Sequence, residues 1–376
     1  MKVVVAMDSF KGSLSSIEAG DAVKKAILRR DKNAEVIVRP IADGGEGTVD
    51  AICVGLGGEL VKVCVQGPIS EMVEAKYCII NKTTAVIEMA EAAGLTHVPS
   101  HLRNPMNTTT YGVGEIIRDA ILRGCRSFIV GIGGSATNDG GMGMLSALGV
   151  EFFDNNQNLL SKGAKELEFL NNISIRNMMP ELKECNFRVA CDVTNPLCGE
   201  FGCSAVYGPQ KGATLENIKK MDCWLKNYAQ IAKNVFKNVD AEYPGTGAAG
   251  GLGFAFKTFL GATLESGIKI VLEETELEKY IETADIVVTG EGRIDGQSVM
   301  GKAPIGVANL AKKHNKKVIA FAGCVSKDAE VCNAHGIDGF FSIVREITTL
   351  EQALDKDNAY NNLMATAYQV FGLIKD

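Results

Sequence analysis

The sequence predicts an α/β protein with a parallel-sheet domain and a second, mixed α/β domain inserted into it. Three observations support this prediction. Apolar runs alternate with helical patterns near both ends of the chain, which indicates right-handed crossovers between parallel strands. Between these regions, residues 59–89 form alternating runs that are joined by hairpin signals instead. The chain of 376 residues is also long for a single core.

The parallel-sheet domain is predicted as residues 1–68 plus 284–376. Runs rich in valine and isoleucine predict its strands, and apolar residues three or four apart predict its helices. The expected order is a strand at 2–7, a helix at 17–30 after a serine N-cap, a strand at 36–41, a helix at 49–54, a strand at 284–288, a helix at 301–313, a strand at 317–322 and a helix at 360–374.

The inserted domain is predicted as residues 69–283, because Gly67-Pro68 and Asn81-Lys82 signal hairpins instead of crossovers. The elements expected in and next to it are strands at 60–65, 73–80 and 85–89, a helix at 111–123, a strand at 128–130, a helix at 142–148, strands at 150–153 and 187–191, and a helix at 215–235. A glycine-rich segment at 245–251 follows.

Polar loops follow the first two predicted strands. Asp8 and Lys11 lie in one loop, and Asp43 and Glu46 lie in the other. Ligands of parallel sheets gather at the carboxyl ends of the strands, so we expect both loops at one binding edge. Glu46 has a simpler alternative, since an acid at a helix start suits the helix dipole.

The stretch GIGGSATNDGGMG, residues 131–143, is called here the glycine-rich loop. It lies between a short apolar strand and a predicted helix. Backbone N–H groups in such a turn can approach an anion closely, and the helix N-terminus adds partial positive charge. We therefore expect a phosphate- or carboxylate-binding loop. Its Asp139, like Asp295 elsewhere, has the alternative role of capping a helix or closing an Asx turn.

Composition and charge argue against several classes of protein. A net charge of −6 gives no reason to expect nucleic-acid binding. No apolar run approaches the roughly 20 residues that span a membrane, and the N-terminal run is too short for a signal peptide. The 11 cysteines, an odd number, therefore indicate reduced thiols and a cytoplasmic location. They include no Cys-x-x-Cys pair, which does not favour zinc.

Two segments, 131–136 and 245–250, partly match a dinucleotide-binding fingerprint. The first is followed by Asp154 about 20 residues later, as an NAD site requires. The predicted helix between segment 131–136 and Asp154 is too short, however, and segment 245–250 follows no strand. An NAD-dependent dehydrogenase of a small hydroxy acid is therefore an alternative. A non-catalytic nucleotide- or carbohydrate-binding protein is another, although it does not explain so many charged loop residues of both signs.

Six loop motifs, in order and over nearly the whole chain, resemble those of the type-1 glycerate kinase family. They are DSFKGS at 8–13, ADGGEGT at 42–48, GGSATNDGG at 133–141, GPQKG at 208–212, GTGAAGG at 245–251 and TGEGRID at 289–295. The resemblance implies that the parallel-sheet domain is flavodoxin-like. It also implies ATP- and Mg²⁺-dependent phosphorylation of D-glycerate, in the cleft between the domains. We favour 2-phosphoglycerate over 3-phosphoglycerate as the product, although the residues alone do not distinguish O2 from O3.

Phosphoryl transfer needs cations and N–H donors around the moving group, carboxylates for Mg²⁺, and an acceptor for the hydroxyl proton. The candidate catalytic residues are Asp192, Lys11, Arg293 and Asp43. Asp192 leads as proton acceptor or Mg²⁺ ligand because it emerges directly after the predicted strand at 187–191. If Asp192 is only a turn residue, Asp43 or Glu291 takes its place. Asp139 is a second candidate Mg²⁺ ligand.

The matching loops also supply candidate binding groups for substrate and phosphate. These are Ser9, Gly134, Ser135, Thr137, Asn138, Lys211, Thr246, Glu291 and Asp295. The expected partners are the small molecules glycerate and ATP, with no nucleic acid and no membrane. The chain is expected to be a monomer or a homodimer.

Overall fold

A computed structural model describes residues 1–374 and divides the chain into two compact units. The parallel-sheet unit contains Met1–Asp43, Asp50–Gly57 and, among the described residues, 268–374. The mixed-sheet unit contains Gly44–Val49 and Gly58–Gly267. No helix in the described part of the chain is both long and apolar enough to cross a membrane.

Strands and helices alternate near both ends of the sheet-forming chain, whereas β3 to β5 follow one another directly. The strands are β1 (Lys2–Met7), β2 (Glu35–Val38), β3 (Glu59–Gln66), β4 (Met72–Ile80), β5 (Thr84–Glu88), β6 (Ser127–Gly131), β7 (Glu151–Phe153), β8 (Asn172–Ser174), β9 (Asn186–Ala190), β10 (Thr263–Glu265), β11 (Ile286–Ile294), β12 (Lys317–Val325) and β13 (Gly339–Ser342). The helices are α1 (Ser16–Arg30), α2 (Thr48–Leu56), α3 (Ala90–Ala93), α4 (Tyr111–Leu122), α5 (Met142–Ala147), α6 (Cys203–Tyr207), α7 (Leu215–Ala232), α8 (Ala248–Leu260), α9 (Gly267–Glu274), α10 (Leu277–Glu282), α11 (Ala303–Lys313), α12 (Val331–Ala334), α13 (Leu350–Leu354) and α14 (Lys356–Leu373).

The five strands of the parallel-sheet unit are all parallel and lie in the order β13-β12-β11-β1-β2. Numbered by their order along the chain, they read 2-1-3-4-5 from β2, which is the flavodoxin-like order. The predicted flavodoxin-like sheet is therefore confirmed. The strand order reverses between β1 and β11, and in sheets of this type ligands bind at the carboxyl edge next to that reversal.

Helices α1 and α14 pack together and share a buried core with the central strands of this sheet. The core includes Val3 and Val5 of β1 and Ile286 and Val288 of β11. The N-terminus of α1 is fixed by a capping box, in which the Ser15 hydroxyl accepts from the Glu18 amide and the Glu18 carboxylate accepts from the Ser15 amide. This confirms the predicted serine cap and fixes where the loop after β1 ends.

The mixed-sheet unit contains a six-stranded sheet in the order β10-β9-β6-β5-β4-β3. Strands β3, β4 and β5 are joined by antiparallel pairing, whereas β5, β6, β9 and β10 run parallel. Strand β3 pairs with β4 along its whole length. The contacts therefore place this strand in the mixed-sheet unit, although the predicted boundary at residue 68 assigns it to the other domain.

Several elements were not expected from the sequence, and three of the differences concern segments for which the sequence makes a prediction. Strand β11 continues to Ile294, so most of the motif at 289–295, expected as a loop, extends the sheet. Strand β2 ends at Val38 rather than at residue 41. The glycine-rich segment at 245–251 leads into α8, which contains left-handed residues near its start, including Ala249. The start of α8 is not predicted from the sequence, because this segment is rich in glycine and glycine is normally a poor helix former.

Candidate active site

A cluster of acids lies at the carboxyl edge of the parallel sheet, where the strand order reverses. It consists of Asp8, Asp43 and Glu291 with the cation Lys11, and it is called here the carboxylate cluster. Asp8 directly follows β1, and its amide donates to the Gly290 carbonyl of β11 at 2.9 Å. Asp8 is only 5% exposed and Glu291 only 8%. The Lys11 ammonium lies 3.6 Å from Asp43 Oδ2. The fold thus concentrates negative charge at the position expected for a ligand.

The environment of Asp8 strongly favours its protonated form. Burial, and after it the neighbouring Asp43 carboxylate, raises the pKa of Asp8 to about 7. The Ser9 amide, which donates to Asp8 Oδ1 at 2.6 Å, and the Lys11 ammonium oppose this rise. A carboxyl group with a pKa near 7 is suited to accept a proton at neutral pH.

Lys11 remains a cation in the same cluster. Burial alone would lower the pKa of Lys11, but the Asp43 and Asp8 carboxylates outweigh it, so the pKa lies above its ordinary value. Its side chain is well exposed, in contrast to Asp8. Lys11 is therefore a charged group that an anionic ligand can reach.

Glu291 connects the cluster to the neighbouring charges of the TGEGRID motif. Burial raises the pKa of Glu291, against the opposing effect of Lys302. Lys302 Nζ lies 3.6 Å from Glu291 Oε2 and 3.5 Å from Asp295 Oδ1. Asp295 also forms an ion pair with Arg293, in which Arg293 Nε lies 3.0 Å from Asp295 Oδ2, and the Arg293 side chain is largely exposed. Arg293 and Asp295 are therefore held next to each other, with Arg293 accessible.

Sequence reasoning left two of these groups out of the candidate site. Asp8 carries the same signal that singled out Asp192, a carboxylate directly after a buried strand, and could have been weighed equally. Lys302 lies outside the six motifs, and only the fold shows that it joins Glu291 to Asp295.

The glycine-rich loop of the mixed-sheet unit is held by its own backbone. The Leu95 amide donates to the Gly134 carbonyl, and the Ala136 amide donates to the Ala93 carbonyl, both at 2.9 Å. Gly134 has φ of +73°, a conformation that favours glycine. The exposed Gly134 and the half-buried Ser135 therefore occupy a fixed part of the loop.

The Asp139 side chain occupies the N-terminus of α5, where the sequence predicts an external anion. Its Oδ2 accepts from the Thr110 amide, the Thr110 hydroxyl and the Gly143 amide, and its Oδ1 accepts from the Gly141 amide, at 2.8 to 3.2 Å. The residue is fully buried. Burial raises the pKa of Asp139, and these hydrogen bonds oppose the rise. These contacts agree with the alternative interpretation of Asp139, in which its carboxylate caps a helix.

Lys211 lies beneath the same loop and is only 2% exposed. Its ammonium donates to Ser135 Oγ and to the Thr137 carbonyl, both at 2.7 Å. Burial lowers the pKa of Lys211 to about 8, although Cys203 and Asp139 oppose this effect. Within residues 1–374 no carboxylate comes within ion-pair distance of the ammonium. The structure therefore links Lys211, Ser135 and Thr137, three of the predicted binding residues.

Two further predicted binding residues are engaged inside the mixed-sheet unit. The buried Asn138 donates from Nδ2 to Ser204 Oγ at 2.8 Å, whereas its Oδ1 has no partner within residues 1–374. The hydroxyl of Thr246 lies 2.8 Å from both the Ala241 and the Tyr243 carbonyls. Thr246 therefore stabilises its own loop.

Asp192 follows β9, as predicted, and its side chain is exposed. Its Oδ1 accepts from the Gly267 amide at 3.1 Å, which fixes the orientation of the carboxylate. The described residues contain no group of three or more His, Cys, Asp or Glu side chains arranged to hold a metal. Mg²⁺ is commonly held by one or two carboxylates together with substrate phosphates, and an oriented, exposed carboxylate fits that mode of binding.

Comparison with known proteins relates these features to a family. The model of the "Glycerate kinase family" matches residues 3–375. The chain belongs to the glycerate kinase family. It is therefore an enzyme of the kinase class.

Relatives within this family are similar over nearly their whole lengths. Glycerate 2-kinase of Escherichia coli (strain K12) is 47% identical over 364 residues, which cover 96% of this chain and 95% of that protein. Glycerate kinase of Bacillus subtilis (strain 168) is 43% identical over 376 residues, which cover 100% and 98%. The crystal structure of a protein provisionally named glycerate kinase 2, from Salmonella typhimurium LT2, matches with a TM-score of 0.91 and 45% identity, covering 100% of this chain and 98% of that one. These matches confirm the predicted α/β fold class.

The contacts of Asp139 and Asp192 predict opposite effects for the same substitution. Asp139→Asn places an amide NH₂ against N–H donors, so the free energy of unfolding should fall by on the order of 3 kcal/mol. Asp192→Asn should leave stability nearly unchanged and lower kcat at least about 10²-fold. Denaturant unfolding and kcat measured on both variants check this. An Asp139→Asn variant as stable as the parent, with a raised Mg²⁺ requirement, would contradict the capping role.

Proposed function

We propose that this chain transfers a phosphoryl group from ATP to D-glycerate and that the product is 2-phosphoglycerate. Membership of the glycerate kinase family supports the substrate. A relative named "Glycerate 2-kinase", 47% identical, supports the position of transfer. The structural observation that supports the proposal is the carboxylate cluster, in which a buried carboxyl group with a raised pKa and a cation lie at the strand-order reversal. None of the 11 cysteines forms a disulfide within residues 1–374, which supports a reducing, cytoplasmic setting.

In the proposed mechanism Asp8 accepts the proton of the attacking glycerate hydroxyl. Asp8 is buried beside Asp43, and its pKa of about 7 allows it to take a proton at neutral pH. Lys11 offsets the negative charge of the cluster, so that an anionic substrate can approach it. Asp43 then keeps Lys11 in position and raises the proton affinity of Asp8.

We assign Mg²⁺ to Asp192, which is exposed and oriented by the Gly267 amide. When bound with ATP, the ion would neutralise charge on the phosphate oxygens. Asp139 is assigned to the scaffold, because its oxygens already accept hydrogen bonds from protein donors. This divides the carboxylates by environment, with a buried one as the proton acceptor and an exposed one as the metal ligand.

The remaining candidates bind anionic oxygens or support groups that do. Arg293 is exposed and held by Asp295, so we propose that it binds a phosphate group, while Glu291 holds Lys302 nearby. Ser9 and Gly134 offer a half-buried hydroxyl and an exposed backbone position. Two others, Asn138 and Thr246, support their loops through the contacts described above.

The dehydrogenase alternative depended mainly on segment 131–136 as a dinucleotide-binding turn, and the contacts of Asp139 argue against such a turn. In a dinucleotide-binding turn the pyrophosphate occupies the N-terminus of the following helix. Here the Asp139 carboxylate accepts the Gly141 and Gly143 amides at the start of α5. That helix has only six residues. The geometry therefore argues against a dinucleotide site at this turn, which was the main support for an NAD-dependent enzyme.

Product analysis tests the proposed function. Purified protein with Mg²⁺-ATP and D-glycerate should yield ADP and a phosphoglycerate whose ³¹P signal is split by the single proton on C2. Splitting by the two protons of C3 would instead indicate 3-phosphoglycerate and overturn the proposed position. Absence of any phosphoglycerate, together with glycerate-dependent reduction of NAD, would overturn the kinase proposal itself.

The pH dependence of kcat/KM tests Asp8. Because the acceptor must be deprotonated, kcat/KM for glycerate should rise as pH increases through about 7. Removing the cation in Lys11→Met should raise the pKa of Asp8, which moves this rise to higher pH, and should cost on the order of 2–4 kcal/mol in kcat/KM. Removing the charge of its neighbour in Asp43→Asn should move the rise to lower pH.

Asp8→Asn is the control for this assignment. It should remove the rise and lower kcat by at least about 10²-fold. An unchanged pH profile in a folded Asp8→Asn variant would assign the proton acceptor to another residue. Shifts of the same sign in Lys11→Met and Asp43→Asn would show that the profile does not report on the carboxylate cluster.

A further inference from the structure

Lys211 and Ser135 form a part-buried hydrogen bond in which Lys211 has to be the donor. A protonated lysine has three donors and no acceptor. The Ser135 oxygen, 2.7 Å from Lys211 Nζ, must therefore accept from it. The proton of the Ser135 hydroxyl then has to point elsewhere, and within residues 1–374 this hydroxyl donates no hydrogen bond. Ser135 is half-buried, so this proton remains available to a ligand.

The backbone around Ser135 is rigid enough to aim that proton. The residues on either side are pinned by the hydrogen bonds from Leu95 to Gly134 and from Ala136 to Ala93. The Thr108 hydroxyl adds a bond to the Ala136 carbonyl at 2.9 Å. A hydroxyl on a loop fixed by such bonds loses little entropy when it binds.

The burial of Lys211 is costly and calls for a function. An ammonium group away from water loses hydration, and within the described residues no carboxylate compensates it by direct pairing. A methionine would fill similar space without that cost. What the charge adds is a fixed direction and a stronger polarisation of the Ser135 hydroxyl, because a hydroxyl that accepts from a cation becomes a better donor.

We propose that Lys211 is a positioning residue that acts through Ser135, forcing the hydroxyl to donate to an anionic oxygen of a substrate. This rests on the proposed function, in which the candidate oxygens are those of the ATP phosphates and the glycerate carboxylate. Lys211 itself is too deeply buried to be the main contact. Ser135 is the group that touches the ligand.

The direction of the hydrogen bond between Lys211 and Ser135 depends on the charge of Lys211. A neutral amine can accept as well as donate, so once Lys211 loses its proton the Ser135 hydroxyl can turn inward. The titratable groups that face Lys211 are Cys203 at the start of α6 and Asp139 in the glycine-rich loop. Burial raises the pKa of Cys203 to about 11, so its thiol stays neutral while Lys211 titrates. Substrate binding should therefore weaken as pH rises through about 8.

The experiment measures the affinities of ATP alone and of D-glycerate alone against pH, by calorimetry, for the parent, Ser135→Ala and Lys211→Met. We expect one of the two ligands to bind the parent about tenfold less tightly above this pH than below it. Both variants should bind that ligand weakly at all pH values, without the alkaline loss. The double variant should be no worse than either single one, because the two residues act as a unit.

Two further variants sharpen the result. Lys211→Arg keeps a donor-only cation whose pKa is far higher, so the alkaline loss should disappear while binding at neutral pH is retained in part. Ser146→Ala is the matched control. The Ser146 hydroxyl donates to the Met142 carbonyl inside α5 at 2.9 Å, and within residues 1–374 it forms no hydrogen bond with Lys211, so this variant should behave like the parent.

An alkaline loss that persists in Ser135→Ala, or additive losses in the double variant, would overturn the proposal. Binding of both ligands that does not depend on pH in the parent would also overturn it. Because affinities are measured without turnover, these outcomes are separate from failure of the proposed function, which is shown by the absence of phosphoglycerate in the product assay.

Discussion

The parallel pairing of β1 with β11 brings Asp8 and Glu291 to one edge of the sheet, and the proposed chemistry depends on this constraint. The register places Met7 opposite Gly290, so the next residue of each strand is acidic at the point where the strand order reverses. Buried acids repel one another and favour protonated forms. Lys11 and the Ser9 amide limit that effect, which leaves Asp8 with a pKa near 7. The cluster destabilises the charged form of Asp8, and the raised pKa of Asp8 expresses that destabilisation.

In the proposed function the glycine-rich loop binds an anionic oxygen, so its donors have to remain accessible. Its own charged groups are used internally, with Asp139 capping α5 and Lys211 holding Ser135 and Thr137. The exposed Gly134 and the half-buried Ser135 are not used in this way. If Ser135 donates to a substrate oxygen as proposed, the loop presents a donor of fixed direction rather than a mobile charge, and such preorganisation stabilises transferring phosphoryl groups.

Local signals in the sequence predicted the alternation of strands and helices near both ends of the chain, the serine cap of α1 and the polar loop after β1. Long-range partners decided the remainder. Strand β3 alternates in a way that fits either sheet, and only its pairing with β4 assigns it. Asp139 finds its donors on Thr110, 29 residues earlier, and Lys211 reaches Ser135 across 76 residues. No local pattern distinguishes a capping aspartate from a metal ligand, or a buried lysine from a surface one.

Direct titration of the Asp8 carboxyl carbon by ¹³C NMR tests, without turnover, whether the fold tunes Asp8 as a proton acceptor. The assignment comes from comparison with Asp8→Asn. The midpoint should lie near 7 in the parent protein. A midpoint near the ordinary value of about 3.9 would show a solvated, ordinary aspartate and would contradict the proposed role of Asp8.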